Sequence, residues 1–442
     1  MAVPFDDIQS NSAPFEGPEK LLEIWFAPSP QHVPDAHDPK DGRIGLRKVP
    51  RHVWEDMLDI VKCKVLSVID GHETDAYLLS ESSLFVFAHR LILKTCGTTL
   101  NLLGLPRILE IAREYASLPT VYRCFYSRKS FMFPERQQGP HREWKDEVAY
   151  LDAIFSNGSA YTVGKVNGDH WLLYITTPGE HSPLDRSVSS IDSLEAVDLE
   201  EEEEAKINQD YTIEILMSNL SPGAREPFFS SAPPTPSEDA SVDPASGSGR
   251  TLSESIGISD LFPPHLTTLD AYAFSPCGYS CNALLRWGEA DTKEESEETG
   301  KRGEGYYTIH VTPEEGWSYA SFECNVPLST SRSSTAKEIP DLRTLIRRVV
   351  DIFCPGRLSL TLFISSSNNE DVEELVGESA IEAAQKAFKS AMMGRRPLSG
   401  SSSGSDAEGS EWLRRGRRYR RTDKINYEFG GYDLAFATFE LY

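Results

Sequence analysis

The chain has 442 residues, 39% hydrophobic and 10% aromatic, with 44 Lys+Arg against 68 Asp+Glu, a net charge of 44 − 68 = −24. That is enough for a sizeable core in one large domain or two to three ordinary ones. The negative balance argues against a nucleic-acid binder, which needs a basic footprint, and mildly favours a cationic ligand. No apolar run reaches the ~18–20 residues of a membrane-spanning helix; the richest, Leu84 to Leu93, is interrupted by His89 and Arg90. The opening MAVPFDDIQS lacks the basic and apolar regions of a signal peptide. Seven scattered cysteines read as free thiols in a reducing compartment, so a cytoplasmic protein is expected.

In chain order, apolar patterning predicts helices 18–27 and 52–62, strands 76–80, 83–88 and 90–95, then helices 101–116 and 142–155. Strands 160–165, 170–176, 211–218, 306–312 and 318–325 follow, then helix 340–353, strand 358–366, helix 370–391 and strand 432–441. In the fourth helix Trp144, Val148, Leu151 and Phe155 recur on one face. Strands apolar on both faces need a second layer, and one-faced helices need a sheet to cover. The expectation is therefore an α+β fold, a four-layer α/β/β/α sandwich of two mostly antiparallel sheets flanked by helices. Residues 28–48, 185–206, 221–252, 288–304 and 393–423 are rich in Pro, Ser, Gly or charge and are expected to be disordered insertions in a single domain spanning 1–442. No internal repeat is visible.

Two motifs fail on context. Gly400-Ser-Ser-Ser-Gly404 matches a nucleophile elbow but sits in low-complexity sequence. Cys277 and Cys281 lack a second ligand pair, so no metal is expected. The informative stretch is YLLSESSLFV (77–86) followed by LILKTCGTT (91–99). By pattern alone Ser-Glu-Ser-Ser is a turn between apolar strands, and Cys96 reads as a buried structural thiol.

These two runs resemble the self-cleavage region of the eukaryotic S-adenosylmethionine decarboxylase proenzyme family. FEGPEKLLE (15–23), FYSRK (125–129), FSPCGYS (274–280) and TIHVTPE (308–314) extend the resemblance in order along the chain, as does Tyr432. It implies an adenosylmethionine decarboxylase that makes spermidine and spermine precursors, using a pyruvoyl group instead of a metal or pyridoxal phosphate. Its chemistry requires a carbonyl because no side chain stores the electrons left by departing CO₂. By this resemblance Ser82 attacks the Glu81 carbonyl, and elimination and hydrolysis leave chains 1–81 and 82–442. Ser82 becomes the pyruvoyl group that forms a Schiff base with the substrate. His310 is the base of processing, suited by a pKa near neutrality. Ser280 assists, Cys96 is the proton donor, and Glu16 and Glu19 support activity.

The resemblance further implies that Phe15 and Phe274 sandwich the adenine, Glu314 takes the ribose hydroxyls, and Glu81 contributes to substrate binding. Asp210, Thr212 and Glu214 lie at period 2, which by itself suits a solvent face; a lone Glu323 in SYASFECNV instead calls for a buried partner. In putrescine-activated members these positions bind the diamine with Phe125, Phe363 and Tyr432, while Glu23 and Lys94 link to the active site. S-adenosyl-L-methionine and putrescine are thus the implied partners, with no nucleic acid and no membrane, in a heterodimer of the two cleaved chains that can itself pair.

Overall fold

The computed structural model describes residues 15–39, 42–168, 170–177, 211–229, 244–288, 303–330, 339–369, 377–393 and 418–442. The first half supplies β1 (Lys20–Trp25), β2 (Val65–Asp70), β3 (Thr74–Leu79), β4 (Ser82–Phe87), β5 (Arg90–Thr95), β6 (Arg123–Lys129), β7 (Gly158–Gly164) and β8 (His170–Thr176). The second supplies β9 (Tyr211–Leu220), β10 (Thr267–Ala273), β11 (Tyr279–Trp287), β12 (Gly303–Thr312), β13 (Tyr319–Cys324), β14 (Pro355–Ser365), β15 (Tyr419–Phe429) and β16 (Tyr432–Leu441). Each half forms one eight-stranded sheet, in the orders β2-β3-β4-β5-β1-β6-β8-β7 and β10-β11-β12-β13-β9-β14-β16-β15. All the pairings are antiparallel.

Adding eight to each strand number of the first sheet gives the second, so the two halves are a structural repeat. The longer helices follow the same rule. α1 (Arg51–Ile60), α2 (Leu105–Ala116) and α3 (Trp144–Asp152) follow β1, β5 and β6; α4 (Pro244–Ile256), α5 (Leu342–Phe353) and α6 (Ala380–Met393) follow β9, β13 and β14. Each set covers the outer face of its own sheet. Val53, Trp54, Met57, Ile108 and Ile111 pack with Leu22, Ile24, Leu91 and Leu93 on one side; Leu345, Ile346, Val349 and Phe388 pack with Ile213, Ile215 and Leu360 on the other. The α5 stripe is continuous because Leu342, Leu345, Ile346, Val349, Val350 and Phe353 repeat at helical spacing. Its start is fixed by Asp341, whose carboxylate accepts the Thr344 N–H at 2.9 Å.

The inner faces meet in a gap with two apolar ends. Phe85, Phe87 and Ile92 pack with Leu284 and Tyr306 at one end, and Trp25, Phe125 and Trp171 with Tyr432, Leu434 and Phe436 at the other. Between them lie buried polar side chains.

The four-layer α+β sandwich agrees with the sequence expectation. The helix expected over 18–27 is instead strand β1, central in its sheet between β5 and β6. A short apolar run buried on both faces has no periodicity to separate the two states. Three of the expected insertions are partly or wholly built into the fold. Within 28–48, Val33 and Leu46 are buried, and Arg43 and Arg47 both pair with Asp75 at 2.7 Å. Within 221–252, residues 244–252 belong to α4, and within 393–423, residues 419–423 begin β15. Composition misleads there because a few buried groups anchor each polar segment. Residues 185–206 lie outside the described residues, as does most of 288–304.

Candidate active site

Strand alternation decides where each polar residue points. In β4, Leu84 and Val86 belong to the outer core, while Phe85 and Phe87 face the inner gap. Ser82 therefore points outward and Ser83 inward. Ser82 is fully buried; its Oγ accepts the Cys96 N–H at 3.3 Å and lies 3.7 Å from Cys96 Sγ. Ser80 and Glu81 form the two-residue corner of the β3–β4 hairpin, closed by the pair Leu79 and Ser82. Glu81 has φ 57°, a left-handed conformation that costs a residue with a Cβ about 1–2 kcal/mol. The Glu81–Ser82 bond thus follows a strained residue. Burial, followed by the charge of Glu314, pushes the Glu81 carboxyl up to about 7.

On the inner side Ser83 Oγ donates to Asn282 Oδ1 at 2.7 Å and lies 3.0 Å from both Thr308 Oγ1 and His310 Nε2. His310 Nδ1 is 3.0 Å from Ser280 Oγ. Ser280 faces His310, and Asn282 faces Thr308, across the β11–β12 ladder. This cluster of hydroxyls, an amide and an imidazole carries no charge, because burial and then the Lys94 charge lower the His310 pKa to about 3. That corrects the expectation of a histidine near neutrality: the imidazole stays neutral throughout the physiological range. Its Nε2 also contacts Ser83, one residue beyond the expected Ser82. Ser83, Asn282 and Thr308 were missed from sequence, although polar residues at period 2 inside the apolar strands YSCNALL and YYTIHVT carried the signal.

A charged cluster adjoins it. Lys94 Nζ, 1% exposed, donates to Glu323 Oε2 at 2.7 Å and Glu214 Oε1 at 3.0 Å. Glu214 and Glu323 oppose each other across the β13–β9 ladder. Glu19 accepts from Tyr319 Oη at 3.0 Å and from Ser321 Oγ, and Tyr306 Oη donates to the other Glu323 oxygen at 2.7 Å. Burial works to lower the Lys94 pKa, but Glu323, Glu214 and Glu19 outweigh it and hold the ammonium above its usual range. Burial raises Glu19 and Glu214 despite that ammonium.

Beside this cluster Phe363 stacks on Tyr432 with centroids 4.6 Å apart, and Phe125 stands edge-on to both at 5.4 and 5.0 Å. Thr212 pairs with Phe363 in the β14–β9 ladder. Glu23 accepts from Trp25 Nε1 at 2.8 Å and Arg90 Nη1 at 3.0 Å. Asp210 lies outside the described residues.

Glu16 is buried with both carboxylate oxygens committed to the backbone N–H groups of Met132 and Phe133, at 2.7 and 2.8 Å. Its geometry is that of a clamp on the loop after β6. Phe15 lies against Gly97, where a Cβ would meet its ring at 3.3 Å; at Gly278 (φ +114°) a Cβ would meet Glu81 Oε1 at 3.3 Å and Phe274 at 3.5 Å. These glycines leave room for Phe15 beside the Cys96 turn and for Phe274 beside Glu81. Glu314 lines a cleft of about 510 Å³ with Arg225 and Phe229. Among the described residues, no group of three or more His, Cys, Asp or Glu could hold a metal, and no helix is long and apolar enough to cross a membrane.

The family model for adenosylmethionine decarboxylase matches residues 12–440. The chain belongs to this family. It is 38% identical over 355 residues to the S-adenosylmethionine decarboxylase proenzyme of Xenopus laevis, covering 80% of this chain and 84% of that one. The proenzyme of Saccharomyces cerevisiae is 35% identical (82% and 85% covered), and that of Drosophila melanogaster 33% identical (98% and 97% covered). A crystal structure of Trypanosoma brucei AdoMetDC (delta26, monomer) is 22% identical, with 81% and 99% covered and a TM-score of 0.45. The family is that of an enzyme, adenosylmethionine decarboxylase.

Proposed function

We propose that the chain is a self-cleaving precursor of a pyruvoyl-dependent decarboxylase of S-adenosyl-L-methionine, whose product feeds spermidine and spermine synthesis. The observation that carries this reading is the corner at Glu81–Ser82, where a left-handed residue precedes a buried serine beside a buried thiol. In maturation the Ser82 Oγ bonds to the Glu81 carbonyl carbon as the peptide C–N bond breaks, leaving an ester and a free amine. Removal of the Ser82 Cα proton then expels the Glu81 carboxylate. The resulting dehydroalanine hydrolyses, with loss of ammonia, to a ketoacyl terminus on chain 82–442. Neutral His310, held by Ser280, Thr308 and Ser83, serves as the base.

Position 82 suits such a group because it is dry and has an N–H donor, that of Cys96, aimed at it. A pyruvoyl group there supplies the carbonyl that binds the substrate amine and accepts the electron pair released with CO₂. Cys96 Sγ holds the proton that the product carbon needs. Burial first, and then the Glu81 charge, push this thiol well above its usual range, so the proton is present at neutral pH. Phe15 and Phe274 hold the adenine by stacking, which also favours the cationic sulfonium. Glu81 contributes to the substrate site beside Phe274, and Glu314 accepts from the ribose hydroxyls. Glu16 and Glu19 act by fixing the surrounding loops and strands.

The same reading gives the charged cluster a ligand. One ammonium, Lys94, faces three carboxylates, Glu19, Glu214 and Glu323, a formal balance of 1 − 3 = −2. A linear diammonium such as putrescine offsets that charge. Asp210, Thr212 and the aromatic trio Phe125, Phe363 and Tyr432 complete the site, and Glu23 and Lys94 link it to the active site.

Mass spectrometry tests the first claim. Wild-type protein should appear as chains of 81 and 361 (442 less 81) residues, the longer one trapped by borohydride in the presence of substrate, and Ser82→Ala should remain intact. A wild-type chain that stays whole and unreactive removes the proposal. For the second claim, putrescine should raise the rate of wild type but not of Asp210→Ala; equal stimulation of both rules the site out.

A further inference from the structure

Lys20 is buried completely in β1, yet among the described residues no carboxylate comes within ion-pair distance of its ammonium. Nζ donates to the Gly97 carbonyl at 2.8 Å and lies 5.2 Å from the Phe131 ring. A buried ammonium without an ion partner is costly, and folds retain one rarely. The nearby acids are committed elsewhere. Glu16 is taken by two backbone N–H groups, and Glu147 accepts from Arg128 Nε at 2.7 Å, Tyr126 Oη at 2.6 Å and His141 Nδ1 at 2.8 Å.

Strand β9 holds the place in the second sheet that β1 holds in the first. Lys20 lies between Thr95 of β5 and Arg128 of β6. In the second sheet one row across β13, β9 and β14 is Cys324, Ile213 and Leu362, all buried and none charged. What differs is the segment that follows. After β5 comes Cys96–Gly97, whose turn is held from every side: Cys96 N–H donates to Ser82 Oγ, Thr99 Oγ1 donates to the Cys96 carbonyl at 2.6 Å, and Gly97 N–H donates to the Glu16 carbonyl at 3.0 Å. Lys20 reaches this turn from β1 with a charged group, at the Gly97 carbonyl that also accepts from Gln137 Nε2 at 3.4 Å.

We propose that Lys20 is a positioning residue whose charge stabilises the Cys96 thiolate left when the thiol gives its proton to the product carbon. This rests on the reading of Cys96 as proton donor. The step balances within the site: the S–H bond breaks, a C–H bond forms, and the sulfur's negative charge is left one residue from the Gly97 carbonyl that the ammonium already grips. Burial pushes the Lys20 pKa down to about 8, opposed by charge on Cys96, Glu147 and Glu16 and assisted by Arg128. The other titratable neighbours are His141, kept below its usual range by burial, and Cys63, raised to about 11 by burial. Lys20 is thus charged below about pH 8 and loses its charge above it.

Lys20→Gln keeps a hydrogen-bond donor for Gly97 and removes the charge, while Lys20→Arg keeps the charge. Two readouts on the cleaved enzyme separate charge from tether. Peptide mapping after iodoacetamide should show Cys96 alkylated about tenfold more slowly in Lys20→Gln at fixed pH, as expected for a thiol pKa about one unit higher, with the rate restored in Lys20→Arg. The kcat of wild type should fall above about pH 8, and that limb should move to higher pH in Lys20→Arg. If Lys20→Gln matches wild type in alkylation, the ammonium is a tether only and the proposal fails. If Lys20→Gln does not accumulate in soluble form, the Lys20→Arg profile decides alone, and an unmoved basic limb overturns the proposal. Failure of wild type to cleave would remove the decarboxylase reading, yet the alkylation comparison would still report whether Lys20 acts on Cys96.

Discussion

The gap between the sheets holds two buried polar clusters built on opposite principles. Around Ser83, Asn282, Thr308, His310 and Ser280 every group is neutral and each hydrogen bond has a local partner. Around Lys94 the groups are ionisable, with the carboxyls of Glu214 and Glu323 on one ammonium. The repeat relates them. Lys94 lies opposite Leu21 and Ser83 in its sheet; Glu323 lies opposite Glu214 and Thr308 in the other. Lys94 and Glu323, on the corresponding strands β5 and β13, meet in an ion pair, and Ser83 and Thr308, on β4 and β12, are 3.0 Å apart. A neutral cluster and a charged one thus lie side by side between the sheets. A neutral cluster can move a proton without exposing a bare charge, whereas a charged one responds strongly to an added or lost cation.

The contrast can be broken by substitutions measured as denaturant unfolding in the uncleaved Ser82→Ala background. The largest loss is expected for Lys94→Met, about 3–5 kcal/mol, because three carboxylates are left buried without their cation. Ser83→Ala should cost about 1–3 kcal/mol, the penalty of unpaired neutral groups; a loss equal to that of Lys94→Met would erase the distinction. Glu81→Gly relieves the left-handed residue and should add about 1 kcal/mol of stability. In the cleavable chain it should also slow cleavage, and an unchanged rate would show that the strain plays no part. The smallest effect is a pH difference. Glu81 binds its proton more tightly folded than unfolded, so between its ordinary value of 4.5 and about 7 its stabilising contribution falls as pH rises. Glu81→Gln, which cannot ionise, should therefore gain thermal stability relative to its parent across that window, and parallel melting curves would contradict the raised value.

Much of this was legible in the chain. Alternating strands, amphipathic α5 and the lone Glu323 each encode burial locally, because side-chain period and polarity are properties of neighbouring residues. The motifs around Ser82, Cys96, Ser280 and His310 also sufficed to assign the family. Other features belong to no single segment. Residues 18–27 became a strand because two neighbouring strands claimed both edges of a run that periodicity left undecided. The repeat was invisible because strand order survives where side chains diverge, as between KLLEIW of β1 and YTIEILMSNL of β9. That Ser82 faces Cys96 while Ser83 faces His310 depends on which side of β4 meets the second sheet. The low pKa of His310 and the excess charge around Lys94 follow from desolvation and from charges brought together across more than a hundred residues. The sequence by itself determined which residues could do chemistry; the packing of two sheets decided which of them meet, because burial and electrostatics depend on spatial neighbours and not on chain order.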